Sequence, residues 1–185
     1  ELQAHESATP GNRYDPAQLE NLPRPVERYL RTALEPGQRP IRSVRIHHRG
    51  EFNLAESGEN WAPFTSRQWT IVDRPGFLWD ARIRMLPVVP VHVHDGYVAG
   101  RGILEARLIG LIPVAEQEAS PELAEGELMR YLAESPWYPT ALLPGGGIEW
   151  EAIDDRSARA TLQDGETSVT CTFHFGEDEL VDRIR

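Results

Sequence analysis

Residues 76–102, GFLWDARIRMLPVVPVHVHDGYVAGRG, contain the most regular alternation of apolar and polar side chains in the chain. Every second residue from Phe77 to Met85 is apolar, and most of the residues between them are charged. A period of two predicts a β-strand with one buried face and one solvated face. The pattern continues through Val91 and Val93, which predicts a second stretch of strand before the glycines begin.

Short turns, rather than long connections, join these strands to their neighbours. Asp95-Gly96 is a typical two-residue hairpin sequence and predicts a returning strand from Tyr97 to about Leu111. Similar alternation predicts strands from residue 41, at residues 64–72, and at residues 148–152, 158–162 and 169–175, the last two joined by an Asp164-Gly165 hairpin. Parallel pairing would require a crossover helix between successive strands, so we expect the strands to be antiparallel.

Two segments have helical periodicity instead. The first begins with Asp15 as its N-cap and is interrupted near Pro23 and Pro25. The second covers residues 120–134, with Ser120 as its N-cap. Its predicted buried stripe consists of Leu123, Leu128, Tyr131 and Leu132.

Together these elements predict an α+β fold. We expect one large curved antiparallel sheet, a half-barrel, with the N-terminal helix and the inserted second helix packed on its concave face. Residues 1–14 are predicted to be a flexible tail and residues 15–185 a single domain. The last residues resemble the start of a strand, so further sheet is expected beyond Arg185. The chain begins at Glu1, so the localisation stays open, and an extracytoplasmic or membrane-tethered protein with a missing N-terminal segment is one alternative.

Composition restricts the choice of partners and cofactors. Hydrophobic residues make up 40% of the 185, which is ordinary for a globular domain. The net charge is −10 and the 19 basic residues are scattered along the sequence, so no nucleic-acid partner is predicted. Cys171 is the only cysteine, so we expect a buried thiol and no disulfide-linked partner. The chain lacks the usual phosphate-binding, nucleophile-elbow and zinc-protease motifs, and no cofactor is predicted.

His92, His94 and Asp95 form a candidate metal site. Alternation along a strand places both imidazoles on the same face, which is a geometry that metal sites use. The neighbouring valines, however, occupy the apolar side of this strand. The simpler interpretation is that both histidines lie on a solvated outer face, together with Asp80 and Arg82.

The segment that follows the second helix combines charged, aromatic and proline residues. Arg130 and Glu134 are four residues apart on one helical face and can form an ion pair. Trp137 and Leu142 then lie in a segment whose prolines prevent the helix from continuing. We expect this segment to pack as a plug at one end of the sheet, with direct ligand contact as the alternative.

Aromatic residues are concentrated on two neighbouring predicted strands: Trp61, Phe64, Trp69, Phe77 and Trp79. Aromatic residues on facing strands usually form core pairs, and this interpretation is preferred over a ligand-binding box. The residues predicted to contact a ligand, if one binds, are Trp79, Tyr97, Arg130, Tyr131, Glu134, Trp137 and Leu142.

The longest of several motifs, GELxRYLAExxWxPTALL at residues 126–143, resembles an uncharacterised bacterial family that is described only as a domain of unknown function. Shorter matching stretches include GEF at residues 50–52 and DGYxxGxG at residues 95–102. Similar proteins commonly carry a hydrophobic N-terminal segment and more chain after the matching region. The resemblance implies a shared scaffold and no catalytic residues. The order of elements also resembles, more loosely, the half-barrel of lipoprotein carriers of the LolA and LppX type.

Three functions remain as hypotheses. The preferred one is a non-enzymatic binding module that holds a lipid-like or apolar small molecule between the sheet and the helices. The second is a hydrolytic or metal-dependent enzyme that uses His92, His94 and Asp95. The third is a structural or interaction domain of a membrane-associated protein.

Overall fold

The structure is a computed structural model, and it describes residues 13–55, 57–86, 89–108, 112–117 and 119–185. Within these residues the helices are α1 (Arg24–Ala33) and α2 (Pro121–Glu134). The strands are β1 (Ser43–Asn53), β2 (Trp61–Ile71), β3 (Gly76–Leu86), β4 (Val89–Val98), β5 (Arg101–Leu108), β6 (Ile112–Gln117), β7 (Ile148–Asp154), β8 (Ser157–Asp164), β9 (Thr167–Phe175) and β10 (Val181–Ile184).

The described strands form two antiparallel sheets, neither of which closes into a barrel within the described residues. Sheet I has six strands in the order β1-β2-β3-β4-β5-β6, and sheet II has four in the order β10-β9-β8-β7. The predicted α+β fold with a curved antiparallel sheet is confirmed, but the strands are divided between two sheets instead of one. The reason is α2, which interrupts the strands and packs between β3, β4 and β5 of sheet I and β9 of sheet II.

The hairpin predicted at Asp95-Gly96 is wrong. Strand β4 continues through both residues, and the turn to β5 is formed by Ala99 and Gly100, whose φ angles are 51° and 80°. Two positive φ angles are typical of the tight turn whose twist suits a hairpin. Gly96 has a different role, since a Cβ atom there would lie 2.5 Å from the carbonyl oxygen of Phe77 on β3.

The N-terminal helix is divided in two, as predicted. Asp15 caps a 3₁₀ turn at Pro16–Leu19, and α1 follows after the prolines. Residues 1–12 of the predicted tail lie outside the described residues. Tyr14 is not part of a tail: its side chain is buried and its backbone NH donates to the carbonyl oxygen of Gln38 at 2.9 Å.

Helix α2 has the predicted limits and the predicted cap. The hydroxyl of Ser120 accepts a hydrogen bond from the backbone NH of Leu123 at 3.2 Å, and the four residues of the predicted apolar stripe are all buried. The helix packs closely against β5, because a Cβ atom at Gly102 would lie 2.6 Å from Leu123. Sheet I and α2 are therefore in backbone contact at this point.

The core is formed by residues of α1, α2 and sheet II together with buried residues of sheet I, such as Phe77 and Tyr97. Leu128, Leu132 and the β9 residue Phe173 are fully buried in it. After α2 the chain makes two short 3₁₀ turns, at Ser135–Trp137 and Pro139–Leu142. Tyr138 is buried and its hydroxyl donates to the carbonyl oxygen of Tyr131 at 2.6 Å. Tyr138 and Leu142 of this segment are fully buried, so the segment packs into the core, whereas its closure of one end of the sheet stays a prediction.

Candidate functional site

Sheet I has an inner face, which is turned toward α2, and an opposite outer face. Side chains directly across from each other on paired strands share a face. Gln68 on β2, Trp79 on β3 and Asp95 on β4 are such partners, and they form one row on the inner face. This row lies beneath the side of α2 that carries Glu127, Arg130 and Glu134.

These polar side chains form a connected group, the Arg130 cluster, which consists of Gln68, Asp95, Glu127, Arg130 and Glu134. The Arg130 guanidinium forms an ion pair with Asp95 and another with Glu134, whose Nε–Oε1 distance is 2.9 Å. Gln68 is fully buried and donates from its amide to Glu134. The side chain of Arg130 is 28% exposed, so solvent still reaches the cluster.

Two aromatic rings lie under the guanidinium of Arg130. Its central carbon is 4.8 Å from the ring centroid of Phe77 and 5.3 Å from that of Trp79. The rings and carboxylates fix the guanidinium in position. Burial disfavours the charged form of Arg130 and lowers its pKa, but the carboxylates of Glu134 and Asp95 outweigh this effect and hold the pKa above its usual value.

Glu127 carries the most perturbed carboxyl group of the cluster. Burial, together with the charge of Asp95 and a hydrogen bond to it, raises the pKa of Glu127 to about 8. One oxygen of each side chain, Oδ1 of Asp95 and Oε2 of Glu127, is buried and has no donor in the described part of the chain. A proton held between the two carboxyl groups would satisfy both oxygens. With its pKa raised, Glu127 keeps its proton to a higher pH than an ordinary carboxyl group does, and in this form it can act as a donor.

An aromatic shelf adjoins the Arg130 cluster on the inner face. It consists of Phe52, Phe64 and Trp79, whose ring centroids lie 6.1–6.4 Å apart. Phe52 is 41% exposed, whereas Trp79 is buried. The floor around the shelf is apolar and is made by Ala62, Ala81, Ile83, Val91 and Val93. An apolar surface with exposed ring area thus lies directly beside a charged group.

A separate cleft opens at the other end of the inner face. It has a volume of about 1760 Å³ and lies between the β4–β5 turn, the start of α2 and the β8–β9 hairpin. Tyr97 lines it, and its hydroxyl donates to Asp164 at 2.8 Å. Burial and this hydrogen bond raise the pKa of Tyr97. The hairpin residue Asp164 thus ties sheet II to sheet I.

Of the seven predicted ligand-contacting residues, Tyr97 lines the separate cleft, and the other six form three groups. Trp79, Arg130 and Glu134 come together at the Arg130 cluster. Tyr131 and Leu142 are buried in the core. Trp137 is 52% exposed, and its ring lies 5.6 Å from that of His48 at the edge of sheet I.

The three residues of the candidate metal site do not come together. His92 and His94 lie on the outer face, opposite Arg82 and Asp80 on β3, as the simpler interpretation predicted. Asp95 lies on the inner face and binds Arg130. In the part of the chain that the structure describes, no group of three or more His, Cys, Asp or Glu side chains has the arrangement of a metal site.

The aromatic prediction is only partly right. Phe64, Phe77 and Trp79 lie on the inner face, but Trp61 and Trp69 alternate onto the outer face, where Trp61 is 55% exposed. The thiol of Cys171 is buried as predicted, and burial raises its pKa.

Comparison with known proteins assigns the chain to a family. Residues 20–185 match a family of unknown function, DUF6920. The chain belongs to this family. No curated protein and no solved structure matches the chain. The expected membership of a family of unknown function is therefore confirmed, whereas the likeness of this DUF6920 protein to LolA-type carriers stays a prediction.

Two residues of the Arg130 cluster, Glu127 and Gln68, were not predicted from the sequence. Glu127 shares a helical face with Arg130 and Glu134 at spacings of three and four, and this spacing could have identified it. Gln68 lies on the inner face of β2, among apolar and aromatic residues. An amide at an inward-facing position of a strand could have identified it from the sequence. No helix in the described residues is long and apolar enough to cross a membrane.

Proposed function

We propose that the protein is a non-enzymatic binding module for an amphipathic, lipid-like small molecule. The apolar part of the ligand lies on the aromatic shelf, and its polar end reaches the Arg130 cluster. The observation that supports this proposal is the exposed ring surface of Phe52, beside Phe64 and Trp79 and next to a polar group that is only partly covered. Ligand sites commonly combine an apolar wall with a few oriented polar groups.

The charges of the cluster favour a particular kind of polar end. With Glu127 protonated, one guanidinium faces the carboxylates of Asp95 and Glu134, and the cluster retains an excess of negative charge. A carboxylate or phosphate would be repelled. A hydroxyl could accept from Glu127 and donate to a carboxylate, and the ammonium group of a long-chain amine could donate to the carboxylates. We therefore expect long-chain alcohols or amines to bind more tightly than fatty acids.

The location differs from the one expected from the sequence. The side chains of Arg130, Glu127 and Glu134 occupy the space between α2 and sheet I, so a ligand does not fit directly beneath the helix. The exposed ring of Phe52 supports a position on the aromatic shelf instead, since the floor residues Ile83 and Val91 are themselves buried.

Displacement of a fluorescent probe tests the proposal. A dansylated long-chain amine is bound to the protein and displaced with unlabelled alcohols, amines and fatty acids of the same chain length. Phe52→Ala is expected to weaken binding about tenfold through lost apolar contact. Trp61→Ala removes an aromatic residue of similar exposure from the outer face, and it should leave the affinity unchanged. No binding at micromolar concentrations, or an equal effect of both variants, would contradict the proposal.

A second candidate function is acid–base catalysis at the Asp95–Glu127 pair. A carboxyl group with a pKa of about 8 beside a carboxylate is the arrangement that general acids use. This pair, instead of His92 and His94, would then carry the chemistry. Screening a panel of chromogenic esters and glycosides tests it: turnover by the wild type that is lost in Glu127→Gln would support an enzyme, and turnover retained by this variant would exclude the role.

A further inference from the structure

The arginines of sheet I are all on one side. Strands β1–β5 contain seven, and alternation and register place every one of them on the outer face: Arg45, Arg49, Arg67, Arg82, Arg84, Arg101 and Arg107. The same five strands contain four carboxylates, and one of these, Asp95, is on the inner face. Basic residues that are scattered in the sequence are therefore gathered on one surface of a chain whose formal net charge is −10.

Six of these seven guanidinium groups have no ion-pair or side-chain hydrogen-bond partner among the residues that the structure describes. Arg107 is paired with Glu105 at 2.9 Å. The other six are exposed. One row of paired residues across the sheet contains three of the arginines: Arg49, Thr65, Arg82, His92 and Arg107. At the usual strand spacing this row is about 19 Å wide.

The chemistry of this face is suited to phosphate groups. The chain contains no lysine, so every basic group is a guanidinium, which binds phosphate oxygens with two parallel hydrogen bonds. Apolar side chains are exposed near opposite ends of the face, namely Trp61, 55% exposed, and Ile103, 37% exposed. Arginine together with peripheral tryptophan is a combination typical of the membrane–water interface.

We infer that the outer face of sheet I is a docking surface for an anionic phospholipid bilayer. A bilayer contacts one side of a protein only, so the acidic remainder of the chain can stay away from the lipid. A nucleic acid fits less well. The face is a broad sheet, not an element that enters a groove, and Trp61 and Trp69 are eight residues apart on β2, with Arg67 between them, instead of forming a stacking platform.

Sedimentation with vesicles tests this inference. The wild-type protein is mixed with vesicles of phosphatidylcholine alone and of phosphatidylcholine with 30% phosphatidylserine, at low and at high salt. Binding is expected only to the anionic vesicles and only at low salt, since ions screen exposed charges. The double variant Arg49→Gln/Arg82→Gln should lower the partition coefficient about 30-fold.

A matched control distinguishes the loss of arginines from the outer face from a general change in net charge. Arg24→Gln/Arg183→Gln removes the same charge from exposed positions on α1 and β10, and it should change vesicle binding less than twofold. An equal loss in both double variants would overturn the inference. So would equal binding to neutral vesicles, binding to an RNA oligonucleotide but not to anionic vesicles, or a salt-sensitive dimer that forms without lipid and is lost in Arg49→Gln/Arg82→Gln. Phe52→Ala should leave vesicle binding unchanged although it weakens small-molecule binding. The two experiments can therefore fail independently of each other.

Discussion

Substitution of Glu127 by glutamine should make the protein more stable at alkaline pH and remove most of the pH dependence of its stability. In the unfolded chain this carboxyl titrates near its ordinary value of 4.5, whereas in the folded protein its pKa is about 8. Between these two pH values the unfolded chain has lost the proton and the folded chain has kept it. The unfolding free energy therefore falls as the pH rises through this window, and it levels off above pH 8.

The size of the effect follows from the width of the window. One pH unit corresponds to about 1.4 kcal/mol, so full conversion of the shift would give an upper limit of about 5 kcal/mol. Glu127 is only half-buried and solvent reaches the cluster, so screening reduces the expected loss to about 2 kcal/mol between pH 5 and pH 8.5. Glutamine is uncharged at every pH, and its amide can donate to Asp95 as the protonated carboxyl does.

Urea unfolding at several pH values, followed by circular dichroism, measures this effect. Wild type and Glu127→Gln should have similar stability at pH 5, and the variant should be more stable by about 2 kcal/mol at pH 8.5. Glu125→Gln, at an exposed position of the same helix, is the matched control and should follow the wild-type curve. If wild type and Glu127→Gln give parallel curves over this range, the assignment of a protonated Glu127 is refuted.

Three other predictions concern the same region. Arg130→Met should lower the unfolding free energy by about 3 kcal/mol in urea unfolding at pH 7, because it leaves buried carboxylates without a counter-charge, and part of the loss should be recovered at pH 5. Gly102→Ala should destabilise by at least about 2 kcal/mol, since its Cβ would overlap α2, whereas Gly126→Ala, with open space around it inside the same helix, should stabilise by about 0.5–1 kcal/mol. His92→Ala/His94→Ala should leave the thermal midpoint and the calorimetric titration with Zn²⁺ unchanged, and zinc binding that is lost in this variant would contradict the geometry.

The local elements could be predicted wherever a signal lies within a few residues. Ser120 followed by proline marked the start of α2, because a cap is a contact between near neighbours in the chain. The ion pair between Arg130 and Glu134 was also predictable from a spacing of four on one helix. The turn between β4 and β5 was placed wrongly at Asp95-Gly96 instead of Ala99-Gly100. Gly96 is required by the close approach of β3, and a single segment does not reveal its neighbour.

The candidate site could be predicted only in part for the same reason. The partner of Arg130 on the sheet, Asp95, is 35 residues away in the sequence, and no local pattern joins the two. The sequence also suggested that Asp95 belongs with His92 and His94, since the three are adjacent. Side chains alternate between the two faces along β4, so His92 and His94 lie on the outer face and Asp95 on the inner face. The residues are close in sequence, but their side chains are on opposite sides of the sheet.

The sequence by itself determined the α+β class, the limits of α2 and the alternation of the strands, because these depend on local periodicity and capping. Only the tertiary structure decided that the strands form two sheets, that Glu127 and Asp95 share a buried site, and that scattered arginines form one surface. These features depend on strand register and on where α2 packs. Both are set by contacts between distant segments, whose free energy no short stretch of sequence contains.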